Sequence, residues 1–194
     1  MSTLEAQVRL LLDYQEIANL KATYLANADG GWGRVSHNAE VVASLFAEDG
    51  VWKSDSHGEV KGPDAIRETF LKFQKAQPFA FHSAATPLIR IDGDYAEGEW
   101  HLIMFGTLHT GKPFWSAGVY EDKFKRTAEG WRLLQVYTRA VFINEWGGDW
   151  VEVMAQQARL REAQQQGTTA ERPSGWPDLY KEAKQVASAE PAKK

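Results

Sequence analysis

Residues 79–108 read FAFHSAATPLIRIDGDYAEGEWHLIMFGTL. Phe79 to Ile91 has the texture of one strand, Asp92-Gly93 that of a hairpin turn, and Tyr95 to Leu108 that of the returning strand. Gly111 turns the chain again into Phe114 to Lys125, and Glu129-Gly130 turns it into Trp131 to Ile143. Long consecutive antiparallel strands are therefore expected, with helical patterns gathered before them. That order predicts an α+β class.

Upstream, Leu4, Val8, Leu11 and Leu12 form an apolar stripe that Ile17, Leu20, Tyr24 and Leu25 continue at helical spacing, so a helix is expected to end near Ala28. Ser2 with Glu5 and Asp13 with Glu16 have the spacing of capping boxes, and the second would break this helix near Asp13. Gly30-Gly31-Trp32-Gly33 stops it, because glycine loses the most backbone entropy on becoming helical. A short helix from about Asn38 to Phe46 is expected to end at an Asp49-Gly50 turn. Val51–Lys53 and Glu59–Lys61 then read as short strands. Pro63 opens a further helix with Ile66, Phe70 and Phe73 on one face. Downstream, Asp149 with Glu152 reads as the cap of a last helix carrying Trp150, Val153 and Met154. Beyond Gln166 the composition turns to that of an arm or partly disordered tail, with Trp176, Leu179 and Tyr180 as its anchors. The expected organisation is one domain over 1–148, followed by a helix and tail over 149–194.

Composition narrows the function classes. A chain of 194 residues, 43% hydrophobic, can bury one substantial core. A net charge of −4 and no basic run interleaved with aromatics disfavour nucleic acid and anionic membranes as partners. The absence of cysteine removes disulfides, thiolate metal sites and cysteine nucleophiles. The charged N-terminal stretch does not read as a signal peptide, and the apolar runs are too short to span a bilayer, so a cytoplasmic location is expected. Eight Trp, nine Phe and six Tyr either fill a broad core or line an aromatic cavity.

Several segments in sequence carry a family likeness: Glu16-Ile17-Ala18-Asn19-Leu20 leading to Tyr24 and Asp29, Leu45 to Trp52, and Lys61-Gly62-Pro63-Asp64-Ala65-Ile66. His82 then enters the long strand, followed by Gly118 to Phe124 and Gly130-Trp131-Arg132-Leu133. Over about residues 10 to 145 this resembles the SnoaL-like branch of the nuclear-transport-factor-2-like superfamily. The resemblance implies a cone-shaped α+β barrel, with N-terminal helices packed on a curved, mostly antiparallel mixed sheet. That fold hosts dehydratases, isomerases, epoxide hydrolases, polyketide cyclases, dehydrochlorinases and non-catalytic modules, so it does not fix function.

In scytalone-dehydratase-like and dehydrochlorinase-like relatives, an Asp just past the first helix holds a His at the start of the third strand. Asp29 and His82 match those positions. A carboxylate on one imidazole nitrogen sets the tautomer and leaves the other nitrogen to take a proton. Taken singly, each residue is as well explained as a satisfied core or loop group. Tyr24, on the apolar stripe, is a third catalytic candidate, as a phenol that donates to a leaving oxygen. His101, Trp32, Trp115 and Tyr120 are substrate-binding candidates, with strand alternation allowing only one of Trp100 and His101 to face a cavity. The Gly30 to Asn38 segment, with Trp32 between glycines, is read as a flap over the pocket. His37, His57 and His109 are placed at exposed positions and given no role. Asp122 and Arg139 are expected to pair across strands, unless Arg139 touches substrate.

The resemblance implies no metal and no cofactor, although His82, His101 and Asp29 would be two histidines and a carboxylate if they converged. The reading is of a cofactor-independent lyase that eliminates water or formaldehyde from a hydrophobic, hydroxylated aromatic substrate, such as a lignin-derived diarylpropane. The alternatives are an isomerase or polyketide cyclase working through Asp29 alone, and a non-catalytic assembly module like the small subunit of a ring-hydroxylating dioxygenase. A homodimer or homotrimer is the assembly expected from the fold.

Overall fold

A computed structural model describes residues 3–33 and 35–148, together with 155, 158, 159 and 162. Those last four residues are helical and exposed; the remainder of the expected C-terminal helix and tail lies outside the described residues. Helix α1 (Thr3–Ala28) is followed by α2 (Ala39–Ser44), β1 (Phe46–Ser54), β2 (Gly58–Lys61), α3 (Pro63–Ala76), β3 (Phe79–Asp92), β4 (Tyr95–Thr107), β5 (Pro113–Thr127) and β6 (Gly130–Glu145). The six strands among the described residues form one sheet in the order β2-β1-β6-β5-β4-β3. Every neighbouring pair is antiparallel except β1 with β6, which run parallel. The sheet is mixed, curved around the helices and not closed, so the expected α+β cone is present as an open half-barrel.

The long strands arise as their turns dictate. Asp92 pairs with Tyr95 across a two-residue loop, and Gly93 supplies the positive φ of 59° that this loop needs. Thr86-Pro87 would interrupt a central strand, but β3 is the sheet edge and the register shifts between Ala85 and Leu88 at that point. On β4, Ala96, Trp100 and Leu102 are buried, which places the even-numbered side chains of this strand inside the cone. They join Ile17, Tyr24, Phe46, Trp52, Ile66, Phe70, Tyr120, Phe124, Leu133 and Val136 in one apolar core.

Two expectations about the first helix are corrected. Helix α1 runs without a break, and Asp13 caps nothing: its carboxylate accepts from the two terminal guanidinium nitrogens of Arg126 at 2.7 Å and from Trp131 Nε1 at 3.1 Å. The buried face of α1 is Asp13, Ile17, Lys21, Tyr24 and Ala28. Leu4, Val8, Leu11 and Leu12 are exposed, because the first turns project past the sheet that covers the remainder. Asp49-Gly50 also differs from expectation. It lies inside β1, at an irregularity in the pairing with β6 between Phe46 and Val51, and does not end a helix.

The Arg126 guanidinium and the indole N–H hold the Asp13 carboxyl below its ordinary value near 3.8. A depressed folded-state value means that the stabilising contribution is complete above the ordinary value and is lost as pH falls through the folded one. Asp13→Ala should cost about 2–4 kcal/mol, since it leaves Arg126 and Trp131 without their shared acceptor. Urea midpoints measured from about pH 6 down to about pH 3 should fall less steeply for Asp13→Asn than for the unaltered protein.

Candidate active site

The end of α1 is stitched to the edge strand. Gly30 N–H donates to Ala80 O at 3.1 Å, and Ala80 N–H donates back to Gly30 O at 3.0 Å. Gly31 has a φ of +81°, and a Cβ there would lie 1.9 Å from Pro78 O, so only glycine lets the chain pass this close to β3. This stitch sets Asp29 beside His82. Asp29 Oδ1 accepts from the His82 backbone N–H at 2.8 Å and from His82 Nδ1 at 2.8 Å. A carboxylate can only accept, so Nδ1 carries the proton and Nε2 of the neutral ring is a free base. The two side chains are 8% and 14% exposed, sheltered enough for the pairing to be sustained against water.

His82 faces a cavity of about 110 Å³ bounded by Trp52, Phe70, Phe73, Leu102, Met104 and Phe114. An engineered apolar cavity of about 150 Å³ holds a benzene, so this space is on the scale of one aromatic ring. Tyr24 and Tyr120 line it as well. The Tyr24 hydroxyl accepts from Trp52 Nε1 at 3.0 Å, which leaves its own O–H available to donate. Burial pushes the phenols of Tyr24 and Tyr120 well above their ordinary values, so both are donors throughout the physiological range.

Below these phenols lies an ion pair that the apolar pattern did not reveal. Lys21 Nζ is 2.7 Å from Asp122 Oδ2, both side chains being almost wholly buried. The ammonium also sits 3.2 Å from the centroid of the Tyr120 ring and 4.8 Å from that of Tyr24. Burial pushes the Lys21 ammonium down and the Asp122 carboxyl up. The expected Asp122–Arg139 pair is not formed. Arg139 bonds Glu121, one residue away on the other face of β5.

Other sequence candidates fall outside the cavity. Trp100 points inward, and His101 lies exposed on the outer face, where Nδ1 meets Thr86 Oγ1 at 3.0 Å. His82, His101 and Asp29 therefore do not converge, and among the described residues no group of three His, Cys, Asp or Glu is placed to hold a metal ion. Trp115 alternates away from Phe114 and Ser116, which line the cavity, and packs edge-on against Phe142 at 4.6 Å. Trp32 does not stand over the pocket as a flap. Its indole N–H donates to Ala80 O at 3.2 Å and its ring packs against Phe81. Two histidines given no role do reach the cavity, His37 and His57. The β1–β2 hairpin brings His57 in with Ser54 and Ser56, and the chain after α1 folds back to bring in His37.

A family profile described as a SnoaL-like domain matches residues 9–137, about two thirds of the chain. The chain belongs to the SnoaL-like family. No curated protein sequence matches it. Among solved structures, hexachlorocyclohexane dehydrochlorinase LinA-type3 from Novosphingobium barchaimii LL02 superposes with a TM-score of 0.64 at 18% identity, covering 74% of this chain and 96% of that one. A Novosphingobium aromaticivorans protein provisionally named a scytalone dehydratase gives 0.62 at 16% identity, over 72% and 91%. A second protein from that species, provisionally named an aromatic ring hydroxylase, gives 0.63 at 20% identity, over 70% and 94%. At these identities the likeness is one of fold. Among the described residues of this SnoaL-like chain, no helix is long and apolar enough to cross a membrane.

The buried pair makes a sharp energetic test. Lys21→Met or Asp122→Asn alone should each cost about 3–5 kcal/mol, because each leaves one buried charge without its partner. The double variant should cost clearly less than the sum. Additive losses in denaturant titrations would contradict a coupled pair.

Proposed function

We propose that this protein is a cofactor-independent lyase that eliminates a small group, water or formaldehyde, from a hydrophobic hydroxylated aromatic compound. The observation that carries this reading is Asp29 Oδ1, which accepts from both the backbone N–H and the Nδ1 of His82 and leaves Nε2 free on a residue that lines the cavity. His82 takes the substrate proton at Nε2, and Asp29 stabilises the resulting imidazolium. Tyr24, a buried phenol with its proton to give, polarises the leaving or carbonyl oxygen. The apolar wall holds the ring and keeps bulk water from the developing intermediate.

For dehydration, the base removes a proton from carbon as the neighbouring hydroxyl leaves as water. For a phenolic diarylpropane diol, loss of the benzylic hydroxyl as water gives a quinone methide. Removal of the primary hydroxyl proton then breaks the adjacent carbon–carbon bond, returns its electrons to the ring and releases formaldehyde with a stilbene. A cavity on the scale of one ring is suited to the phenolic half of such a substrate, with the second ring toward the mouth.

The rival readings fit the geometry less well. An isomerase or cyclase using Asp29 alone would need that carboxylate free to carry protons, yet its Oδ1 is committed to two donors on His82. A non-catalytic assembly module has no need of a sheltered carboxylate–imidazole pair facing an apolar cavity.

A panel of phenolic diols and dehydratable hydroxy-aromatics, followed by formaldehyde release and stilbene absorbance, tests the proposal. His82→Ala should lose about 10²–10⁴ in kcat, and Tyr24→Phe a smaller factor. Asp29→Asn should fall with His82→Ala, since an amide that donates to the ring would select the wrong tautomer. Substantial turnover by His82→Ala would favour the Asp29-only reading instead.

A further inference from the structure

His37 presents a second imidazole to the same cavity, and its Nδ1 too is anchored to the end of α1. Its Nδ1 lies 2.9 Å from Ala28 O, one of the carbonyls that the end of α1 leaves without an intrahelical partner. A carbonyl only accepts, so Nδ1 carries the proton and Nε2 of the neutral ring is an acceptor. The ring packs against Gly30, where a Cβ would lie 2.5 Å from it. Nε2 is buried, no group among the described residues donates to it, and the residue lines the cavity. Capping of α1 accounts for Nδ1. It does not account for a buried, unpartnered Nε2 on a residue of the cavity wall, an acceptor that costs free energy until something donates to it.

We infer that His37 is a specificity residue whose Nε2 receives a hydrogen bond from a hydroxyl of the bound substrate. The inference deepens the proposed function and rests on the cavity being where substrate sits. With His82 Nε2 as a second acceptor, the site selects aromatic compounds carrying two hydroxyl donors. On the formaldehyde-releasing route His82 takes the proton of one hydroxyl, and the other hydroxyl is held unreacted by His37. A site built to accept from a hydroxyl discriminates strongly against an analogue that lacks it, because the acceptor is then buried without a partner. No atom of His37 changes its bonding in the reaction. It orients the ring and discriminates.

The test is binding without turnover, using phenol and anisole as probes and the fluorescence of Trp52, which lines the cavity, as the signal. In a His82→Phe background, where the imidazole of the dyad no longer competes, phenol should bind about tenfold more tightly than anisole. Adding His37→Leu should remove that preference, and adding His37→Gln, which keeps an acceptor, should retain part of it. In the unaltered protein, resorcinol, whose two hydroxyls can serve both imidazoles at once, should move the ¹⁵N resonance of His37 Nε2 and anisole should not, a readout that needs no variant to fold. A preference that survives His37→Leu, or a His37 Nε2 resonance indifferent to resorcinol, overturns the inference and leaves the His82 lyase reading untouched. Turnover that persists in His82→Ala overturns that reading and leaves the binding result standing.

Discussion

One carboxylate oxygen ties the first helix to the edge of the sheet. Asp29 Oδ1 accepts from a backbone N–H of β3 and from the imidazole on the same residue. The first bond belongs to the fold, since it holds the end of α1 against an edge strand that would otherwise expose unpaired groups. The second belongs to the chemistry, since it sets which ring nitrogen is free. Because one atom serves both, the position of the base is fixed by the same contact that closes that side of the cone. The reciprocal bonds between Gly30 and Ala80 keep that contact in register.

The interior is polar in places where an economical core would not be. Lys21 and Asp122 lie beneath the aromatic floor, and Asp13 occupies the buried face of α1 against Arg126 and Trp131. Such groups gain little net stability over apolar packing, but each fixes a distance and an orientation that apolar contacts leave loose. Lys21 over the Tyr120 ring is the clearest instance. Its ammonium and the Asp122 carboxylate together lock the phenol that forms part of the cavity wall.

The long strands and their turns were legible because Asp92-Gly93 and Glu129-Gly130 have few other conformational uses. Asp29 and His82 were legible because the order of elements and the family pattern agreed on them. The buried ion pairs were not. Counting apolar residues on α1 passes over Asp13 and Lys21, although each stands on the stripe of Ile17 and Tyr24, and Arg126 is too distant in sequence for local spacing to reveal it. The inward position of Trp100 has a signal in its strand neighbour Gly98. Gly98, on the same face, leaves the space that the Trp100 ring fills, since a Cβ there would lie 2.3 Å from it. His37 had no local signal, because its approach to Ala28 depends on how the glycine segment folds back on β3.

The central claim is that Asp29 holds His82 with its proton on Nδ1 and its lone pair on Nε2. The ¹⁵N resonances of His82 in the uniformly labelled protein report this directly. The account expects a protonated Nδ1 whose hydrogen is shifted downfield by the carboxylate, with an unprotonated Nε2, and loss of that pattern in Asp29→Asn. A neutral ring protonated at Nε2 in the unaltered protein would contradict it.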